Sequence, residues 1–122
     1  MKNISFGDLY AGGLVATVDE DGKGVVVAQS DLKIMRWDDA NNFNQDLNGF
    51  SDWRLPTRDE LNFLFKNRKA IGGFAKNDYW SGQVSSRVDC AWAQSFEDDY
   101  EYQYDCNISN GCCVRLVRDF AI

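Results

Sequence analysis

The chain contains no histidine. That absence removes the commonest general base and the commonest metal ligand, so a Ser–His–Asp site and a histidine-based zinc site are both excluded. Proline occurs once, at Pro56. No apolar run is long enough to span a membrane, which predicts no membrane insertion. The first residues, Met1 to Asp8, lack the apolar stretch of a signal peptide. The expectation is a chain kept inside the cell, or a piece of a larger surface- or virion-associated assembly. Cationic residues are also scarce: 13 Lys and Arg stand against 19 Asp and Glu, for a net charge of −6. Phosphate binding needs a basic face, and Lys66, Arg68 and Lys69 form the only basic cluster, so no nucleic-acid partner is expected.

What is present is ample material for a core. Hydrophobic residues make up 44% of the 122 positions and aromatic residues 14%, which points to one folded domain over residues 1–122. The most informative stretch is Asp52-Trp53-Arg54-Leu55-Pro56-Thr57-Arg58-Asp59-Glu60-Leu61. Thr57 and Glu60 have the spacing of a capping box. Asp59 and Glu60 place negative charge against the positive end of a helix dipole. Pro56 holds Leu55 extended, so the chain runs straight and then turns into the helix. Leu61, Leu64 and Phe65 continue at helical spacing and predict a helix from Thr57 to about Lys69, before Gly72 and Gly73.

Elsewhere the pattern is mixed. Two β-rich runs, 14–18 and 25–28, flank Asp21-Gly22 and predict a hairpin. Gly12 and Gly13 mark a tight backbone passage before it. Asp19, Glu20 and Asp21 lack the spacing and closing Glu of an EF-hand, so they are read as a solvated turn. Trp37, Ala40, Asn44 and Leu47 share one face of a candidate helix over 37–48, with Gly49 as its C′ residue. From Tyr79 onward the period becomes alternating. Trp92, Gln94 and Phe96 fall on one strand face, and Tyr100, Tyr102 and Tyr104 on another. Val114, Leu116 and Arg118 oppose Arg115 and Val117. A hairpin, two helices and a strand-rich last third make an α+β layout of short antiparallel strands.

These blocks carry a family resemblance. Asp52-Trp53-Arg54-Leu55-Pro56-Thr57, Asp59-Glu60-Leu61, Tyr79-Trp80-Ser81 and Val114-Arg115-Leu116-Val117-Arg118 occur in an order that resembles the C-terminal domain of bacterial collagen-like adhesins. The resemblance covers about Phe6 to Phe120. It implies a C-type-lectin-like fold, similar to that of the formylglycine-generating-enzyme group. Residues 52–61 then serve as scaffold: Trp53 and Leu55 are buried, and Arg54 and Asp59 fix loops. Leu61, Leu64, Trp80, Trp92 and Phe96 complete the expected core.

The stretch from about Gln83 to Cys113 has a different composition. From Glu97 to Cys113 it holds no Lys or Arg and almost no aliphatic residue. Its Tyr, Ser, Asn and Gly are the residues that dominate antibody paratopes, where Tyr supplies rigid amphipathic area and the small polar residues adapt. Asp, Tyr, Cys, Asn, Ile, Ser and Gly are all reachable from an Asn codon by replacing its adenines; Glu and Gln are not. Glu101 and Gln103 alternate with Tyr100, Tyr102 and Tyr104. In this the chain resembles the hypervariable proteins of diversity-generating retroelements, found in phage and prophage settings, whose variable segment ends a C-type-lectin-like domain. The expected ligand-binding face is one exposed patch of Ser86, Arg87, Asp89, Cys90, Asp98, Asp99, Tyr100, Tyr102, Tyr104, Asp105, Asn107 and Asn110. Its partner is expected to be a protein or glycan.

Three alternatives stand beside this reading. A polar β-meander would use its tyrosines only to cover a sheet face. A fixed-specificity adhesin would bind a glycan, or calcium through Glu97, Asp98 and Asp99. A cysteine-dependent oxidase of the formylglycine-generating type would use some of Cys90, Cys106, Cys112 and Cys113. Adjacent Cys112 and Cys113 point to opposite strand faces and do not pair with each other. The Cys-x-x-Cys pairs of a four-thiolate zinc site are missing. At least two cysteines are therefore expected on the diversified surface. No catalytic residue, metal or cofactor is assigned, because neither Arg54 nor Asp59 has a base or nucleophile beside it.

Overall fold

A computed structural model describes residues 4–97 and 99–122. Strands β1 (Leu9–Tyr10), β2 (Gly13–Val18) and β3 (Lys23–Val27) come first. Three helical segments follow: α1 (Trp37–Asn41), α2 (Arg58–Lys66) and α3 (Arg68–Ile71). Strands β4 (Asp78–Val84), β5 (Cys90–Ser95), β6 (Gln103–Asn107) and β7 (Val117–Ala121) complete the chain. They build two antiparallel sheets, ordered β1-β2-β3-β7 and β4-β5-β6. This is the mixed, strand-rich layout expected from the sequence.

The predicted hairpin is β2–β3. Asp19 closes its turn, its Oδ1 accepting from the Asp21 and Lys23 amides at 2.9 Å each. At Gly24 a Cβ would lie 2.0 Å from the Thr17 carbonyl oxygen and 2.8 Å from the Phe120 ring, so no side chain fits there.

The capping box of α2 is present in full. Glu60 N–H donates to Thr57 Oγ1 at 3.1 Å, and Thr57 N–H donates to Glu60 Oε1 at 2.9 Å. Leu61, Leu64 and Phe65 turn inward against Tyr79, Phe96 and Val117. The helix stops at Lys66 instead of running to Lys69, because the Asn67 side chain bonds back to the Phe63 carbonyl at 2.9 Å and a separate turn, α3, begins. Such side-chain competition for backbone groups is the usual reason Asn weakens a helix.

The predicted helix over 37–48 shrinks to the five residues of α1. Its Asp- and Asn-rich continuation leaves the helix at Asn42. Gly49 is not a helix C′ residue. It sits with Asn48 in a tight turn, both at positive φ, which brings Leu47 opposite Phe50. Trp37 and Trp53 nevertheless anchor this region, donating from Nε1 to the Ser81 and Leu47 carbonyls at 2.9 and 3.0 Å.

The core lies between the sheets and under α2. Trp53, Leu55, Leu61, Leu64, Trp80 and Phe96 are buried, as expected; Trp92 is only half-buried. Residues 112–117 stitch the two sheets together. Cys112 and Cys113 bridge to Met35 and Tyr79, the Leu116 carbonyl accepts from Ala28, and Val117 bridges to Arg54. The stretch is therefore covered on both sides, and its alternation does not separate core from solvent: Arg115 and Arg118 are buried along with Val114, Leu116 and Val117.

Candidate functional site

The candidate segment is the β4-β5-β6 sheet and its connections. In an antiparallel pair, residues directly opposite share a face. The register therefore sets Cys90, Trp92 and Gln94 of β5 on the same face as Asn107, Asp105 and Gln103 of β6. Ala91 and Ala93 share the other face with Cys106 and Tyr104. The two faces meet different surroundings, and this decides where each expected site residue goes.

On the first face, helix α2 is the neighbour. Gln103 donates from Nε2 to the Arg58 carbonyl at 2.8 Å and to Gln94 Oε1 at 3.0 Å. Gln94, fully buried, donates in turn to Asn62 Oδ1 at 2.9 Å. The Arg58 guanidinium lies 3.7 Å over the Trp92 ring and donates to Gln103 Oε1 at 3.1 Å. Glu101 joins the same helix, through Asn62 at 2.7 Å and Lys66 at 3.0 Å. Arg58, Asn62 and Gln94 are absent from the expected patch. The only advance sign of their role is that Glu101 and Gln103 fall outside the set reachable from an Asn codon.

The tyrosines lie at one end of the edge strand. Tyr100 is 65% exposed and Tyr102 is 49% exposed, whereas Tyr104 is half-buried. Only Tyr104 belongs to β6; the Tyr102 carbonyl extends the ladder by accepting from Ser95 at 3.0 Å. The Tyr102 and Tyr104 rings stack with centroids 5.4 Å apart. The Tyr104 hydroxyl donates to Asp78, and burial, then this carboxylate, pushes the phenol pKa upward. Exposed Asp99 stands nearby, with Arg68 reaching it at 3.5 Å.

The remaining residues cluster at the other end, where the β4–β5 hairpin meets the turn after β6. Ser85 Oγ donates to Asp105 Oδ1 at 2.8 Å, and exposed Arg87 approaches the same carboxylate at 3.9 Å. Asp89 adopts a left-handed φ of 55°. Its carbonyl accepts from Ile108 at 2.9 Å, tying hairpin to turn. Ser86, Asp89, Asn107 and Asn110 are exposed, and Cys90 is half-buried. The expected residues thus form two groups along one edge: Asp99, Tyr100, Tyr102 and Tyr104 at one end, and Ser86, Arg87, Asp89, Cys90, Asp105, Asn107 and Asn110 at the other. Asp98 lies outside the described residues.

The cysteines correct the expectation of a surface role. Cys106, Cys112 and Cys113 are buried. Cys106 and Cys112 enter the cluster containing Trp80 and Ala91, and Cys113 enters the one under α2. Thiols are small and weakly polar, so a segment that looks too polar for a core contributes to it through its sulfur atoms. Burial pushes the Cys112 and Cys113 thiols above their ordinary range. Among the described residues no group of three or more Cys, Asp or Glu side chains is placed to hold a metal ion. What the edge offers is planar aromatic area and carboxylate acceptors, which suit a ligand rich in hydrogen-bond donors.

With this geometry established, comparison with known proteins adds one finding. The profile of the family described as the Lcl C-terminal domain matches residues 16–118. A search of the curated proteins finds no match.

Proposed function

The chain belongs to the Lcl C-terminal domain family, and from that premise we propose that it is a ligand- or receptor-binding module of C-type-lectin-like fold. Its binding face is the β6 edge and the two loop clusters beside it, diversified by a retroelement. The function is recognition, not catalysis. The observation that carries this reading is the split within 100–104. Glu101 and Gln103, which adenine replacement in an Asn codon cannot produce, are bonded to α2. Tyr100 and Tyr102, which it can produce, are exposed. Glu101 and Gln103 thus tie the edge to the scaffold, Glu101 while itself exposed and Tyr104 joining them through Asp78, whereas the Tyr100 and Tyr102 side chains are open to solvent. Rigid exposed tyrosines flanked by Asp99, Asp105, Asn107 and Asn110 are the composition of an adaptable recognition surface.

The partner is a protein or glycan, met by the domain as part of a larger surface- or virion-associated assembly. Among the described residues no helix is long and apolar enough to cross a membrane. A fixed-specificity adhesin is the second reading. Burial of Cys106, Cys112 and Cys113 favours it, because diversification at those positions would disturb the core. A cysteine-dependent oxidase is less well supported, since the reactive form is the thiolate and burial disfavours it at Cys112 and Cys113.

Sequencing the gene with its flanks tests the proposal. The expected result is a nearby reverse transcriptase and a near-identical copy of the 3′ end. Differences should be confined to adenines of that copy, and should fall on the codons of Tyr100, Tyr102, Asn107 and Asn110 while sparing Glu101 and Gln103. A complete genome lacking both features leaves the fixed-specificity adhesin.

A further inference from the structure

Four cysteines lie in the last third of the chain, and the fold sorts them into distinct surroundings. Cys106 and Ala91 are opposite one another, as are Asn107 and Cys90, so Cys90 and Cys106 point to opposite faces of the sheet. Cys113 packs in the cluster under α2, away from the other buried thiols. Cys106 and Cys112 alone share a cluster, and their Sγ atoms are 3.9 Å apart, in van der Waals contact.

The chain between them is already held as a closed turn. Asn107 Oδ1 accepts from the Ser109 amide at 2.9 Å and from the Ser109 hydroxyl at 2.6 Å. The Asn110 amide donates to the Asn107 carbonyl at 3.0 Å, and Asn110 Nδ2 lies 3.6 Å from Cys106 Sγ. At Gly111 a Cβ would lie 2.8 Å from Ile34 Cγ2, so the chain passes tightly against the 32–36 segment there. Cys112 exchanges both backbone bonds with Met35, at 3.0 Å each. Neither sulfur has to be carried across the fold to meet the other.

We infer that Cys106 and Cys112 are a modification site: a small-molecule disulfide of the glutathione class converts them to an intramolecular disulfide that locks the 107–111 turn. The exchange balances without any other reagent. One protein thiolate attacks a sulfur of the small disulfide, forming a mixed disulfide and releasing one small thiolate. The second protein thiolate then attacks the protein-bound sulfur and releases the other small thiolate. Two electrons and two protons pass from the cysteine pair to the small disulfide, which becomes two thiols. Burial holds Cys112 in its thiol form, so exchange proceeds through opening of the turn and is slow on the scale of exposed thiols. Because Asn107 and Asn110 stand on this turn, the bond changes how firmly the exposed edge is presented. The inference holds whether or not that edge is a binding face.

The test equilibrates the whole chain in glutathione buffers from reduced to oxidised, quenches with acid, unfolds the chain in denaturant and alkylates the free thiols. Under oxidising conditions two of the four thiols should resist alkylation. Proteolysis without reductant should give one linked pair, Cys106 with Cys112. A Cys90→Ser variant should behave identically, and a Cys106→Ser variant should protect none. The thermal midpoint of the oxidised chain should rise by about 5 °C, because the crosslink restricts the unfolded ensemble. Four alkylatable thiols at the oxidised limit in a chain that still melts cooperatively would overturn the inference, as would a bond to Cys90 or Cys113. If Cys106→Ser does not fold, the Cys90→Ser variant and the linked-peptide map decide alone.

Discussion

Arginine is used in opposite ways on the two sides of this domain. On the scaffold side Arg115 is 1% exposed and fully engaged. It donates to the Ala28 carbonyl at 2.6 Å, to Asp31 at 3.0 Å and to the Gly72 carbonyl at 2.9 Å, while Phe74 lies 4.3 Å beneath its guanidinium. Arg118 grips Asp52 through two nitrogens at 2.7 and 3.2 Å and also holds the Ala11 carbonyl. Arg54 clamps Glu60 and Asp119 together. At the edge, by contrast, Arg87 is exposed and reaches Asp105 only at 3.9 Å. A desolvated charge with several fixed partners commits its neighbours to one geometry, since removing it strands them. An exposed, loosely paired charge contributes little and can be exchanged for another residue. The scaffold thus has arginines that fix their neighbours in place, whereas Arg87 at the edge leaves its neighbours nearly independent of it.

The largest break in this contrast should come from Arg115→Ala. It takes the Arg115 donors from Asp31 Oδ1 and two carbonyls, leaving only the Tyr79 hydroxyl on the Asp31 carboxylate, and the expected loss is ~3–5 kcal/mol, read as a lower urea midpoint or an unfolded chain. Arg87→Ala, under the same measurement, should stay within about 0.5 kcal/mol of the parent. Equal losses at the two positions would erase the distinction.

Acid sharpens the comparison next. The Arg118 hydrogen bond holds Asp52 below its ordinary range, and Arg54 does the same for Asp119. Burial alone would raise Glu60, but Arg54 and the Thr57 amide together hold it low. A carboxylate whose folded pKa is depressed contributes stability above its unfolded pKa, and that contribution is lost as pH falls through the folded value. Stability should therefore be flat from neutral pH down to about pH 5 and fall below about pH 4. Arg54→Gln should make that acid limb shallower. An unchanged slope would mean that the Arg54 clamp does not operate in solution.

Smaller effects separate the contacts that hold the edge and helix α2 in place from the exposed positions. Gln103→Ala removes the link between Gln94 and the Arg58 carbonyl, and leaving buried Gln94 short of a partner should cost ~1–3 kcal/mol. Thr57→Ala should cost ~1 kcal/mol through loss of the cap, read as a shift in melting midpoint. Tyr100→Ala and Tyr102→Ala should each change stability by less than about 0.5 kcal/mol. Tyr104 does not belong with them: Tyr104→Phe strands Asp78 and should be measurably destabilising. A triple tyrosine variant would confound the two roles.

The legible parts of the sequence were those whose cause is local. The capping box depends on Thr57 and Glu60 three positions apart, and the hairpin on Asp21-Gly22 between β-branched runs. The length of α1 was hidden because Ala40, Asn44 and Leu47 keep helical spacing even though the intervening Asn and Asp residues favour turns. The burial of Arg115 was hidden for another reason: its partners Ala28, Asp31 and Gly72 are far away in sequence. The tyrosine alternation was visible, but the depth of Tyr104 depends on Asp78 one strand beyond β5. Composition misled for the cysteines, since a polar neighbourhood in sequence does not fix the neighbourhood in space.

The pairing of β3 with β7 governs when the domain can assemble. Val26 lies opposite Arg118, so the first hairpin and the last strand close one sheet with residues 28–116 between them. Such a contact carries a large loop-closure entropy and belongs to slow-folding topologies. On the ribosome β3 emerges early and must wait, one edge unpaired, until residue 121 has been synthesised. Everything from α1 to the 107–111 turn is translated during that wait. Substitutions in the edge segment therefore appear before the sheet is sealed, and their first opportunity for harm is an exposed β3 edge that pairs with another nascent chain.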